Sequence, residues 1–387
     1  MLTVNYDELT VEHLSTALGK KWTTFPGAIG AFIAEMDFAT APCVIEALHK
    51  SVDLGFFGYL PDSLERALAT SVAAWYRDRC GWDIAAENIH SMPDVLKGLD
   101  ITLSLYAPRG GKVIVPTPAY MPFLMLPAML GREQIEVPLI READTWKYDL
   151  DAIDAAFKAG GEVLILCNPH NPIGRVMNRD ELVAISEVVE RNGGRVFSDE
   201  IHAPIVYPGH THIPYASVNE TAAGHTITAI AASKAWNLAG LKCAQLVISN
   251  DADAETFATE GLWAAHGASS LGVVASVAAW TDGQEWLDGV IDYLDGNRRL
   301  LAELVAEKLP GVTYTMPEGT YLTWLDFSNT GLDGDLAEFF RERAQVATTA
   351  GSACGEVGKR SVRFNIAMPR PILVRAIDQM AAAIAAT

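Results

Sequence analysis

"VLILCNPHNPIGRV", residues 163–176, runs from a continuous apolar stretch directly into a cluster of asparagine, proline and histidine. Val163 to Leu166 have the character of a short strand covered on both faces, as in a parallel sheet, whereas Asn168 to Gly174 have the composition of a loop. Ligands in open α/β sheets bind beyond the carboxyl ends of the strands, so this junction marks a place to look for chemistry.

The same texture extends outward. "KVIVPTP" (112–118), "REQIEVPL" (132–139), "EVLILCNP" (162–169), "RVFSDE" (195–200), "TITAIAAS" (226–233) and "CAQLVIS" (243–249) are strand candidates separated by helical stretches, which predicts a mostly parallel α/β sheet between about Pro42 and Gly283. "NRDELVAISEVVERNGG" (178–194) supplies a crossover helix, with Asn178 as N-cap, Glu181 three residues on and glycines at the end. Beyond residue 284 come a long helix (286–309), "GVTYTMPEGTYLTWLDF" (311–327), another helix, the strand "SVRFNIAM" (361–368) and a last helix, the pattern of a smaller α+β domain. We divide the chain into an N-terminal segment, 1–41, packing with the small domain, a large domain, 42–283, and a small C-terminal domain, 284–387.

With 29 basic and 48 acidic residues and a formal net charge of −19, the surface repels nucleic acid and anionic membranes. The longest apolar window, from Tyr120, is broken by Pro122 and Pro127 and falls short of the roughly 20 residues that span a bilayer. The five cysteines form no C-x-x-C pair, which argues against a disulfide framework or a structural zinc site, and the acidic N-terminus lacks a signal-peptide pattern. These features predict a cytoplasmic protein. No G-x-G spacing or P-loop occurs, so the sheet holds something other than a dinucleotide or a P-loop nucleotide.

Two further strand ends carry reactive groups. "VFSDEIHAPIVYPGHTH" (196–212) places Asp199 and Glu200 after a strand, with His202, His210 and His212 behind them. Taken alone this could bind a metal, but "YPGHTHIP" has loop composition and we read His210 and His212 as exposed loop residues. "TITAIAASKAWNLAGLK" (226–242) places Lys234 just past an apolar run, where lysine is seldom found. A desolvated lysine has a depressed pKa and can form a Schiff base with an aldehyde. An asparagine, a carboxylate and a lysine on three strand ends are the set that holds pyridoxal phosphate: Asn171 for the 3′-oxygen, Asp199 for the ring nitrogen, Lys234 for the aldehyde carbon.

On these residues, together with "IAEMDF" (33–38), "FFGY" (56–59), "PTPAYMPF" (116–123), "SKAWNLAGLKCAQ" (233–245), "EGTYLTWLDF" (318–327) and "VRFNIAMPR" (362–370), the chain resembles the MalY/PatB-like cystathionine β-lyases of the fold type I pyridoxal-phosphate aminotransferase superfamily. The stretches occur in order along the whole chain. The resemblance implies a seven-stranded, mostly parallel sheet in the large domain and a homodimer with a shared active site. It also implies a C–S β-lyase that splits L-cystathionine and related cysteine conjugates into a thiol, pyruvate and ammonia, and so serves methionine metabolism.

It further implies that Tyr120 stacks on the pyridine ring and that His202 sits where the wider class has a tyrosine near the 3′-oxygen. Val95 and Leu96 would offer backbone N–H groups to the phosphate, Ser233 its hydroxyl, and Tyr59 would reach the phosphate from the neighbouring subunit. Arg363 would clamp the substrate's α-carboxylate. Ala231 departs from a common serine, and Lys242 stands where a phosphate-binding arginine often lies. An aminotransferase on the same fold is the alternative; a metallohydrolase built on Asp199, His202, His210 and His212, and a regulatory binding protein, rank lower.

Overall fold

The computed structural model describes residues 5–16, 19–107, 110–142 and 145–387. Its central sheet has seven strands: β1 (Ile89–Met92), β2 (Lys112–Thr117), β3 (Gln134–Pro138), β4 (Gly161–Cys167), β5 (Arg195–Asp199), β6 (Thr226–Ile230) and β7 (Ala244–Ile248), in the spatial order β1-β7-β6-β5-β4-β2-β3. β7 runs antiparallel to both neighbours, β1 and β6, and every other pairing is parallel. The six strand candidates of the sequence are all present. The seventh, β1, is "IHSM", in which His90 and Ser91 interrupt the apolar pattern. It lies at the edge of the sheet, where Ser91 bonds the Glu65 carboxylate through N–H (2.9 Å) and hydroxyl (2.7 Å).

The opening stretch is apolar without alternation because both of its faces are covered. Val163, Ile165 and Cys167 join the core on one side of the sheet, and Leu164 and Leu166 the core on the other. The crossover helix α1 (Arg179–Arg191) follows, with a complete capping box between Asn178 and Glu181, and it buries Leu182, Ile185, Val188 and Val189.

Most of the polar side chains of the 168–176 loop are spent on holding that loop. Asn168 Oδ1 accepts from Met177 N–H at 3.0 Å, the His170 ring bonds the Pro118 carbonyl and the Tyr148 hydroxyl at 2.8 Å each, and Arg175 pairs with Glu181 (2.7 Å) and Glu318 (2.5 Å). Gly174 has φ +71°, and a Cβ there would sit 2.3 Å from Pro317 Cβ, so only glycine lets the loop approach the 317–319 segment this closely. Asn171 remains to face the cleft.

The C-terminal part holds a four-stranded antiparallel sheet built on β8 (Leu322–Asp326) and β9 (Ser361–Asn365), with helices α2 (Gln284–Lys308) and α3 (Arg370–Ala385) packed together. One core cluster runs without a break through Trp236, Leu294, Tyr321 and Phe364, so the two parts share apolar interior.

Residues 29–38 are fixed to both parts. Ile29–Gly30 pairs in parallel with Val346–Ala347, and Asn365 Nδ2 donates to the carbonyls of Ile33 and Glu35 at 2.7 Å each. Asn237 in turn bonds the backbone of Met36 and Phe38. Below them lies a buried ion pair, Lys21 Nζ to Asp37 Oδ2 at 3.0 Å, completed by the Ala367 carbonyl on the lysine and Trp22 Nε1 on the carboxylate. Breaking such a pair leaves a buried charge uncompensated, which costs about 3–5 kcal/mol.

Candidate active site

The register of the parallel strands sets Cys167, Asp199 and Ala229 side by side, so the segments leaving β4, β5 and β6 emerge together at one edge of the sheet. A cleft of about 700 Å³ opens there, and Asn171, Asp199 and Lys234 all line it. Arg363 arrives from β9 on the C-terminal sheet, although it lies far away in sequence.

Lys234 Nζ donates to the Ala34 carbonyl at 3.0 Å. Burial and the Arg363 guanidinium push its pKa down to about 8, with Glu35 and Asp199 working in the opposite direction. Asp199 is buried, and its pKa is raised to about 7 by that burial, against the N–H of Ile201 on Oδ1 (3.1 Å) and the charge of Lys234. Among the described residues its Oδ2 meets only the Cys167 thiol, at 3.9 Å. Arg363 is 3% exposed, yet among the described residues its guanidinium finds only neutral acceptors: Asn171 Oδ1 (3.2 Å), the Phe32 carbonyl (2.8 Å) and Thr349 Oγ1 (3.3 Å), with Nε unpartnered. A buried carboxylate short of donors and a buried guanidinium short of an anion lie on one cleft, and both gain by a ligand that carries a cationic N–H and a carboxylate.

His202 is buried with Nδ1 2.8 Å from Thr320 Oγ1, and burial followed by Lys234 and Arg363 holds its pKa well below the usual value, so the ring is neutral. Tyr120 lies on the cleft as the residue preceding helix Met121–Met129. On the other side, Val95 and Leu96 open the helix Val95–Leu105, whose N-cap Asp94 accepts from Lys97 N–H at 3.0 Å. Ser233 lines the cleft near them. Lys242 is there too, but its ammonium is paired with Asp94 Oδ2 at 2.8 Å.

Tyr59 alone among the predicted residues lies outside the cleft, 93% exposed, on a separate surface hollow with His90, His266 and Ser270. The histidines behind Asp199 do not converge. His210 is exposed, as read, but His212 is buried, because its Nε2 bonds the buried Glu200 carboxylate at 2.8 Å. Among the described residues no group of three or more His, Cys, Asp or Glu side chains is placed to hold a metal ion. Several contacts were invisible to side-chain reasoning: the Ala34 and Phe32 carbonyls carry no residue-type signal, and Thr349 falls outside every quoted motif.

The model of aminotransferase class I and II matches residues 32–380. The chain belongs to this family. It is 37% identical over 372 residues to a cystathionine β-lyase of Corynebacterium glutamicum, covering 96% of this chain and 98% of that one. It is 33% identical to the protein MalY of Escherichia coli over 92% of this chain and 91% of that one. Among solved structures, cystalysin from Treponema denticola, which contains a pyridoxal 5′-phosphate cofactor, superposes with a TM-score of 0.91 at 28% identity, covering 98% of this chain and 99% of that one.

As an aminotransferase-family cleft, the arrangement fits pyridoxal phosphate on its own donors. Asp199 Oδ2 has room to accept from a protonated ring nitrogen, and Lys234 is an amine whose pKa is lowered to about 8. The backbone N–H groups of Val95 and Leu96 at a helix start suit a phosphate.

Without cofactor, the folded protein holds a proton on Asp199 that the unfolded chain has released between the ordinary value of 3.8 and about 7. Stability of the cofactor-free protein therefore falls as pH rises through that window. We expect Asp199→Asn to flatten this dependence in urea titrations on either side of it. An unchanged slope would show that the ionised carboxylate finds another partner.

Proposed function

We propose that the chain is a pyridoxal-phosphate C–S β-lyase that splits L-cystathionine and related cysteine conjugates, with water, into a thiol, pyruvate and ammonia. The observation that carries the reading is the junction of Asn171, Asp199, Lys234 and Arg363 on one cleft, in a chain whose likeness to a cystathionine β-lyase spans nearly its whole length.

The cofactor, when bound, supplies a sink for the electron pair left when the substrate's Cα proton is removed. The protein supplies position and proton handling. Arg363 offers Nη1 and Nη2 to the α-carboxylate, exchanging neutral acceptors for an anion and fixing the substrate's orientation. Lys234 would hold the cofactor's aldehyde carbon and, as a free amine, would take the Cα proton on Nζ; a pKa of about 8 suits that role at neutral to mildly alkaline pH. Asp199 would hold the ring nitrogen as an ionised carboxylate and Asn171 would hold the 3′-oxygen, with neutral His202 on the same cleft. Tyr120 would pack on the ring. Val95, Leu96 and Ser233 would hold the phosphate, and Lys242 would join them only by leaving Asp94.

Steady release of pyruvate, ammonia and thiol from L-cystathionine is expected with no 2-oxo acid present. If turnover instead stops after one cycle and resumes on adding 2-oxoglutarate, the chain is an aminotransferase.

A homodimer completes the reading. Tyr59 stands with Leu54, Phe57, Leu262 and Trp263 among the exposed large hydrophobic residues, a group that a second copy would cover while Tyr59 reaches that copy's phosphate. The enzyme works in the cytoplasm, in keeping with five free cysteines and with no single described helix long and apolar enough to cross a membrane. Mixing inactive Tyr59→Ala and Lys234→Ala subunits should restore activity through hybrid dimers with one intact site. Failure after demonstrated subunit exchange would place both residues in the same subunit's site.

A further inference from the structure

Two charged side chains on the cleft have no work in the chemistry above. Glu35 lies on its wall, next to Ala34, and its carboxylate makes no hydrogen bond or ion pair among the described residues. Several other partly sheltered carboxylates are engaged: Glu65 with Ser91, Asp326 with Arg141, Glu318 with Arg175, Asp295 with Arg298. Its backbone is not loose. The Glu35 N–H donates to Ile33 (2.9 Å), and its carbonyl accepts from Asn365 Nδ2 (2.7 Å) and Lys21 Nζ (3.4 Å), so the carboxylate hangs from a fixed strut. Lys20 lies on the same cleft, exposed on the short helix Lys20–Thr23, again with no side-chain partner among the described residues. Phe25 and Phe32, in edge contact with ring centroids 5.2 Å apart, add apolar wall to the cleft.

Arg363 accounts for one carboxylate and Lys234 for one amine position, which leaves an acid, a base and an aromatic wall unassigned. Methylenes suit the phenylalanines; an ammonium suits Glu35 and a carboxylate suits Lys20. We propose that Glu35 and Lys20 form a second amino-acid subsite, in which Glu35 accepts the distal ammonium and Lys20 pairs with the distal carboxylate of a thioether bearing an amino acid at each end. The subsite rests on the β-lyase reading and adds to it a preference for double-headed substrates over S-alkyl cysteines.

Because Glu35 also acts on Lys234, its replacement can alter turnover of every substrate, and the informative quantity is a ratio. In the pyridoxal-phosphate-loaded enzyme, Glu35→Gln should lower the ratio of kcat/KM for L-cystathionine to that for S-ethyl-L-cysteine roughly ten- to hundred-fold, the scale of one charge-assisted hydrogen bond. The corresponding ratio for S-(2-aminoethyl)-L-cysteine should fall with it. Lys20→Ala should lower the L-cystathionine ratio and spare the aminoethyl one. Calorimetric titration of L-cystathionine and S-ethyl-L-cysteine into loaded Lys234→Ala protein, with and without Glu35→Gln, reads the same preference without turnover. Ratios unmoved by Glu35→Gln would overturn the subsite while leaving the lyase reading intact. If the wild type cleaves neither thioether the lyase reading falls, and the binding ratio still decides whether Glu35 selects a distal ammonium.

Discussion

Lys234 and Arg363 face the same cleft, withdrawn from bulk water, and neither forms an ion pair with a carboxylate among the described residues. Protein dipoles alone are a poor substitute for water around a cation, so this arrangement persists only because the surrounding fold over-determines it. The Ala34 and Phe32 carbonyls supply the missing acceptors, and the strand register aligns Cys167, Asp199 and Ala229 so that the carboxylate sits opposite. Asp199 in turn receives the Ile201 N–H on Oδ1 and, among the described residues, only the Cys167 thiol on Oδ2. The cleft is thus electrically incomplete in a definite sense: a buried guanidinium has no anion and a buried carboxylate has few donors, which suits the substrate carboxylate and cationic ring N–H proposed for them.

The segment 29–38 is what makes that incompleteness geometrically exact enough to use. It carries Phe32, Ala34 and Glu35 into the cleft while Asn365 and Lys21 hold it from the C-terminal side and Asn237 from the other. Lysine, guanidinium and substrate wall are thereby registered to one another through a single strut. A side chain on the buried Lys21–Asp37 pair can influence the site without touching it.

Much of this was legible in the sequence because burial leaves a composition trace. A strand covered on both faces must be apolar throughout, so polar clusters at 168–171, 199–202 and 233–234 stand out as strand ends and six strands follow, while the crossover helix is legible from its capping box. The rule fails at β1, an edge strand whose Ser91 bonds the Glu65 carboxylate and whose His90 stacks on Phe257. It fails again at His212, where a loop-like stretch conceals a buried partner in Glu200. Backbone acceptors such as Ala34 leave no trace in residue type, and the pairing of Lys242 with Asp94 depends on a contact between residues 148 positions apart. Tyr59 was singled out by resemblance alone, and in the single chain it lies exposed outside the cleft.

The account turns on Lys234 being the one amine that the cleft prepares for the cofactor. Reductive trapping tests this most directly: cofactor-free protein is loaded with pyridoxal phosphate, reduced with borohydride, digested and mapped by mass spectrometry. The account predicts a single pyridoxyl group per chain, on Lys234. A group found instead on Lys20, Lys242 or scattered surface lysines, with Lys234 unmodified, would contradict it.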